Sequence, residues 1–63
     1  MNESFSSLRL ATQHFEKLKA NDCTLCMVMI HDHEDDVYSI IDDETYVYLA
    51  YRYKLAMTVL QYS

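Results

Sequence analysis

The fold depends on the stretch from residue 23 to residue 41, which reads CTLCMVMIHDHEDDVYSII. Its first eight residues are apolar on every side, and such a run fits a buried central strand or a core helix equally well. Residues 31–36 are polar and acidic, and Val37, Ile40 and Ile41 then fit one face of a short helix. A β-hairpin, with strands over 24–30 and 37–41 around a turn at 31–36, is the alternative.

The chain contains neither glycine nor proline among its 63 residues. Two-residue hairpin turns favour glycine because their central residues adopt positive φ. The β-branched and aromatic residues of this stretch favour a hairpin, whereas the missing glycine favours helices joined by short polar turns. We therefore predict a single all-α domain over residues 1–63, with three or four short helices, one of them over 33–41, and a long C-terminal helix. The alternative is an α+β domain arranged helix–hairpin–helix.

The segment that precedes this stretch, residues 2–20, predicts an amphipathic helix whose secure part is 4–19. Asn2 or Ser4 can cap its start, because a short polar side chain accepts a free backbone N–H there. Its apolar residues share one face at helical spacing, and they are Phe5, Leu8, Ala11, Phe15 and Leu18.

The segment that follows, residues 43–62, predicts a long helix with its core at 44–61 and a cap at Asp42 or Asp43. A helix on the surface of a small monomer usually shows one apolar stripe, but this segment shows two. The first stripe comprises Tyr46, Leu49, Ala50, Tyr53, Met57 and Leu60. The second comprises Tyr48, Tyr51, Leu55, Val59 and Tyr62.

The second stripe is the predicted interaction surface. Five of the six tyrosines lie between residues 46 and 62, and tyrosine is enriched at interfaces because it buries a large ring while its hydroxyl stays wet. The three–four spacing of the stripe suits a facing helix. We predict a homodimer that uses Tyr48, Tyr51, Leu55, Val59 and Tyr62, and the alternative is that both stripes pack inside one chain.

A possible metal site is the pattern C-x2-C-x4-H-x-H, formed by Cys23, Cys26, His31 and His33. Zinc accepts this set of ligands, and a zinc-stabilised module is an alternative function. The residues between and after the cysteines are apolar, so we expect buried thiols and solvated histidines, with no metal or other cofactor. No nucleophile motif is present, and we predict that the protein is not an enzyme.

The net charge of −5 disfavours nucleic-acid binding, which depends on Lys and Arg at the phosphates. It disfavours binding to acidic membrane surfaces for the same reason. An acidic DNA mimic remains an alternative function, in which Asp35, Asp36, Asp42, Asp43 and Glu44 would line one face. No signal peptide and no apolar run of membrane-spanning length is visible, so we predict a cytoplasmic protein with reduced cysteines.

The whole chain, from its opening MNESFSSLRLATQHF to the Tyr-rich tail at 46–62, resembles the small accessory proteins of lambdoid bacteriophages. These are encoded in the early region between the excision and recombination genes. The resemblance implies a helical, dimeric protein in the infected bacterial cytoplasm, which tunes the lysis–lysogeny decision or host functions by binding a phage or host protein. It assigns no site residues. We therefore predict a small acidic regulatory protein that acts through protein–protein interaction.

Overall fold

A computed structural model describes residues 3–53 and 57–63, and it contains two helices and a four-stranded antiparallel sheet. The all-α prediction is therefore wrong, and the fold is α+β. The elements follow one another as β1 (Glu3–Phe5), α1 (Leu8–Asn21), β2 (Met27–Asp32), β3 (Val37–Asp42), α2 (Asp43–Tyr53) and β4 (Met57–Tyr62). No helix in the described ranges is long and apolar enough to span a bilayer.

The central element is the hairpin of β2 and β3, which pair antiparallel from Met27↔Asp42 to Asp32↔Val37. Its turn needs no glycine because Asp36 adopts the left-handed conformation, with φ of 52°, which Asp tolerates better than most residues. The carboxylate of Asp32 stabilises the turn by accepting the backbone N–H of Glu34 at 2.9 Å. The helix predicted over 33–41 is thus wrong, and the hairpin that we kept as the alternative is present.

The sheet order β1-β3-β2-β4 arises from two interlocked crossovers. β1 and β2 run parallel with β3 between them, and β3 and β4 run parallel with β2 between them. The crossover from β1 to β2 and the crossover from β3 to β4 move across the sheet in the same direction. The strands β1 and β2, however, run opposite to β3 and β4. Because such crossovers are nearly always right-handed, α1 and α2 lie on opposite faces of the sheet.

The α1 side of the sheet holds a closed core. Ala11 and Phe15 of α1 are completely buried, and side chains from β2 and β3 pack around them: Met27, Met29 and Ile40. Phe5, Leu18, Leu25 and Tyr38 close the margins of this cluster. The predicted apolar face of the first helix is largely right, but Phe5 belongs to β1 and Leu8 is exposed. The helix begins later than predicted, because Ser7 and not Asn2 or Ser4 is its cap.

The α2 side is more open. Val28, Ile30 and Ile41 are buried there because alternate residues of a strand point to opposite faces. They are covered by partly buried residues of α2 and β4, namely Tyr46, Leu49, Met57 and Val59. The backbone N–H of Thr45 donates to the Asp42 carboxylate at 2.7 Å, which caps α2. This bond is the main reason that the pKa of Asp42 lies below its ordinary value.

The long C-terminal helix predicted over 43–62 is wrong, because α2 ends at Tyr53 and residues 57–62 form a strand. Met57 and Val59 are partly buried while Thr58 and Leu60 are exposed, which is the two-residue alternation of a strand. The two predicted stripes therefore do not lie along one helix. Their members are divided between α2 and β4, and Leu55 lies outside the described residues.

Candidate interaction surface

The β4 edge is the outer side of the strand Met57–Tyr62, which stands at one end of the sheet order and pairs on that side with no strand of residues 3–53. The strand reads MTVLQY and carries no charge and no proline. Its inner side pairs with β2, from Asp32↔Met57 to Val28↔Tyr62, with a bulge opposite Met29 and Ile30. An edge strand presents unsatisfied N–H and C=O groups in a row, which makes it a template for another strand.

The inner side of β4 is held in place at both ends. Near its start, Thr58 Oγ1 lies 2.6 Å from His33 Nε2, which links the strand to the turn of the central hairpin. Beyond its end, the Ser63 N–H donates to the carbonyl of Met27 at 3.0 Å and the Ser63 hydroxyl donates to that of Leu25 at 2.9 Å. These bonds fix the register of β4, so its outer side is a defined template.

The side chains beside the β4 edge are uncharged, and Leu60 and Tyr62 are its exposed large apolar ones. Leu60 is 41 % exposed and Tyr62 is exposed on the α2 side, where its ring meets that of Tyr46 edge-to-face at 5.9 Å. Interaction with the Tyr46 side chain, followed by burial and nearby negative charge from Asp43, raises the pKa of the Tyr62 hydroxyl above its usual value. Tyr62 therefore stays neutral at physiological pH and adds no charge to this edge.

The opposite edge of the sheet is short and charged. The described part of β1 contains three residues, the first of which is Glu3. The carboxylate of Glu3 lies 2.8 Å from His14 Nε2 of α1, and the His14 ring lies 5.3 Å from that of Phe5. Short length and an edge charge are the features that protect edge strands from pairing, so β1 is a poor template.

The predicted interface residues lie in different places. Tyr48 and Tyr51 are both exposed on α2, and the Tyr51 side chain is 88 % exposed. Val59 points to the α2 side of the sheet and packs in the cluster there, whereas Tyr62 is exposed on β4. We define the α2 aromatic surface as Val47, Tyr48 and Tyr51, in which the Tyr48 hydroxyl accepts from Arg52 at 2.8 Å. The structure thus separates Tyr48 and Tyr51 from Tyr62 by placing them on another element.

Sequence reasoning missed Leu60 as a surface residue, because helical spacing grouped it with Tyr46 and Leu49. The sequence hints at a strand through the apolar–polar–apolar order of Met57, Thr58 and Val59 and through the β-branched pair Thr58 and Val59, but neither feature predicts the exposure of Leu60. Both features are typical of a strand.

The cysteines and histidines of the metal pattern lie at opposite ends of β2. Cys23 and Cys26 lie before the strand begins and are exposed, so the expected burial of their thiols is wrong. His31 and His33 lie at the end of the strand. A strand of this length separates its ends by roughly 16 Å at about 3.3 Å per residue, whereas zinc ligands lie within about 2.3 Å of the ion. Among the described residues, no three His, Cys, Asp or Glu side chains are grouped in a way that could hold a metal.

His31 takes part in a cluster with other side chains. Its ring stacks on that of Tyr38 at 4.4 Å, the His33 ring lies 4.4 Å away, and Nε2 lies 2.9 Å from Asp36 Oδ1. These contacts stabilise the end of the central hairpin.

The acidic residues proposed for a DNA mimic form two separate groups. Asp35 and Asp36 lie in the turn before β3, and Asp42, Asp43 and Glu44 lie where β3 ends and α2 begins. The length of β3 separates the groups by roughly 16 Å, again at about 3.3 Å per residue. They therefore do not form one continuous acidic line.

The β4 edge and the α2 aromatic surface are thus two exposed apolar regions among the residues that the structure describes. Comparison with known proteins adds no further assignment to them: no family model, no curated protein and no solved structure matches this chain.

Proposed function

We propose that this protein acts by binding other protein chains through the β4 edge, and that a second copy of itself is such a chain. The observation that carries the proposal is an uncharged six-residue edge strand, fixed in register on its inner side and unpaired on its outer side. Main-chain hydrogen bonds of an added strand supply the affinity in this mode of recognition, and the flanking side chains supply the specificity.

Two copies can pair their β4 strands antiparallel around a twofold axis perpendicular to the sheet. The product is a continuous eight-stranded sheet in which both α2 helices lie on the same face. Twofold dimers of this kind are the commonest oligomers, because one surface binds its own copy. The added burial also suits a chain of 63 residues, since a single core of this size supplies little stability alone.

Side chains next to the strand must contribute to the contact, because stable interfaces bury about 1,200–2,000 Å² in total. Leu60 and Tyr62 are exposed at the β4 edge and are suited to this role. Edge strands that avoid pairing commonly carry a lysine. The absence of lysine from MTVLQY is consistent with an edge that does pair. We therefore place the predicted homodimer contact at β4, not along a terminal helix.

Charge provides a second way to recognise this dimer. Each chain carries a net charge of −5, so two copies repel each other, and added salt screens that repulsion over about 8–10 Å. Self-association through an uncharged strand should therefore strengthen with salt. A basic partner bound to the acidic turns would show the opposite dependence.

The wider role that we propose is regulation through such contacts. The resemblance to small early proteins of lambdoid phages supports a role in phage development or in host functions, in the bacterial cytoplasm.

The experiment is sedimentation velocity and equilibrium on the wild type and on Leu60→Lys. We expect a wild-type dimer at micromolar concentration, and at least a tenfold weaker dimer (about 1.4 kcal/mol) for Leu60→Lys, because like charges then face each other near the axis. The matched control is Leu10→Lys on α1, where the wild-type leucine is similarly exposed at 50 %; it should leave the dimer unchanged.

Tyr51→Lys distinguishes a dimer contact at the β4 edge from one at the α2 aromatic surface. We expect it to retain the dimer, since Tyr51 is on α2 and not on the edge strand. Loss of the dimer in Tyr51→Lys but not in Leu60→Lys would transfer the contact to α2. A wild type that is folded and monomeric at high micromolar concentration would contradict self-association altogether.

A further inference from the structure

A groove lies on the α2 side of the sheet, between α2 and the strands, with a volume of about 440 Å³. Its floor is formed by Ile30 and Ile41 of the central strands, and its walls include Leu49 of α2 and Met57 of β4. Ligand pockets in proteins commonly measure about 300–1,000 Å³ and are mostly apolar, with a few polar groups that orient the ligand. The groove has the size of such a pocket, and its lining combines these four apolar residues with polar and acidic ones.

Two carboxylates border this apolar floor. Asp32 ends β2 and points to the same face as Ile30, two residues earlier, and Glu34 follows in the turn; both line the groove. One oxygen of Asp32 accepts backbone N–H groups of the turn, which leaves its second oxygen for a ligand. On the β1 side, the hydroxyls of Ser4 and Ser39 lie 2.9 Å apart and add a neutral polar contact.

The charge at this groove is not balanced by the residues that line it. Within residues 3–53 and 57–63, the carboxylates in ion pairs are Glu3, with His14, and Asp36, with His31. Glu3 also borders the groove, but its carboxylate is engaged on the α1 side. Asp32 and Glu34 have no such partner, and no described Lys, Arg or His side chain lines the groove.

We propose that the groove binds a small organic amine, with its ammonium group at Asp32 and Glu34 and its apolar body against the partly buried side chains of Leu49 and Met57. The ammonium group supplies the positive charge that the two carboxylates lack, and hydrogen bonds between charged partners are stronger than neutral ones. Covering Leu49 and Met57, which are only partly buried, removes apolar surface from water and favours binding in proportion to the area buried. A carboxylate ligand of the same shape is repelled, and a neutral one loses the charged contact.

The test uses phenethylamine as the probe, with 2-phenylethanol and 3-phenylpropionate as its neutral and anionic counterparts. Methyl-labelled protein is titrated at pH 7 and low salt, and the methyl resonances of Ile30, Ile41 and Leu49 are followed. We expect saturable shifts of these methyls with the amine, at least about fivefold weaker binding of the alcohol, and no binding of the anion. Absence of saturable shifts with the amine, or equal affinity for all three probes, would overturn the proposal.

Variants assign the charge that the amine contacts. Glu34→Gln keeps the shape of the side chain, and Glu34 makes no side-chain hydrogen bond that the turn needs, so the protein should fold normally. We expect it to weaken phenethylamine binding about two- to fivefold, the effect of losing one partly solvated charge pair. Glu16→Gln on the opposite helix removes the same charge and should have no effect. Equal affinity of the wild type and Glu34→Gln for the amine would refute the assigned orientation, and dimer formation through β4 is measured independently of either result.

Discussion

The two faces of the sheet are built from neighbouring residues of the same strands, yet they differ in how completely they are covered. On the α1 side, Phe15 of α1 is fully buried against the strands of the hairpin. On the α2 side, the strands again bury three apolar residues, but the helix covers them with side chains that are themselves only partly buried. The α2 side also contains the groove and the α2 aromatic surface.

This difference indicates a division of roles between the faces. A fully packed cluster contributes stability because every apolar contact is excluded from water. A partly covered cluster contributes less, but it leaves apolar surface available for a ligand or another chain. The predictions below test that division, beginning with the largest effect.

The largest effect should come from Phe15→Ala. Removing a buried phenylalanine costs about 3–5 kcal/mol, which is comparable to the roughly 3–5 kcal/mol that one core supplies in a domain of this length. We expect the variant to be largely unfolded at 25 °C by circular dichroism and urea titration. Leu8→Ala, at an exposed position on the same helix, is the control and should unfold close to the wild type. A cooperative wild-type transition in Phe15→Ala would show that the α1 side is not the main core.

A smaller effect should come from Leu49→Ala on the α2 side. Leu49 is only partly buried, so about half of the usual loss for a buried leucine applies, or roughly 1–2 kcal/mol. Urea titration should therefore show a folded protein with a reduced midpoint. Val47→Ala, at an exposed position on the same helix, should change the midpoint little. If Leu49→Ala is as damaging as Phe15→Ala, the two faces are equally important for stability.

The sequence predicts the α1 side better than the α2 side, for a physical reason. Ala11, Phe15 and Leu18 recur at intervals of four and three residues, which places them on one face of a helix but not of a strand, and α1 overlaps the predicted segment although it begins later. The β-branched and aromatic residues of the hairpin favour strands, but the absence of glycine favours helices. The sequence does not reveal that Asp36 adopts the left-handed conformation that the turn needs.

The C-terminal third is harder to predict because residues 43–53 and 57–62 share a spacing that also fits one continuous helix. Only the alternation of burial along β4 reveals the strand, and burial depends on β2 lying beside it. The three residues of β1 carry no pattern of their own. The candidate surface is also only partly visible in the sequence. Tyr48, Tyr51 and Tyr62 are exposed, but the position of Leu60 on an edge strand can be known only from the order of the strands in the sheet.

The smallest predicted effect is the response of the two helix N-termini to low pH. The cap of α1 is the hydroxyl of Ser7, which does not titrate, whereas the cap of α2 is the carboxylate of Asp42. Hydrogen bonds from Thr45 lower the pKa of Asp42 below 3.8, so the folded state favours the ionised carboxylate. A group with a lowered folded pKa contributes stability above its unfolded pKa, and that contribution is lost as pH falls through the folded value.

The α2 helix should therefore loosen at its start as pH falls below 3.8 and through the lowered folded pKa of Asp42, while the start of α1 remains unchanged. The amide resonance of Thr45 reports the first event and that of Leu10, which faces Ser7, reports the second. Asp42→Asn is the control variant, because Asn caps helices about as well as Asp but does not titrate, and it should flatten the Thr45 profile. If Thr45 and Leu10 shift with one common midpoint, or if the Asn variant keeps the wild-type profile, the α2 side is not held by its carboxylate cap and acid acts on the domain as a whole.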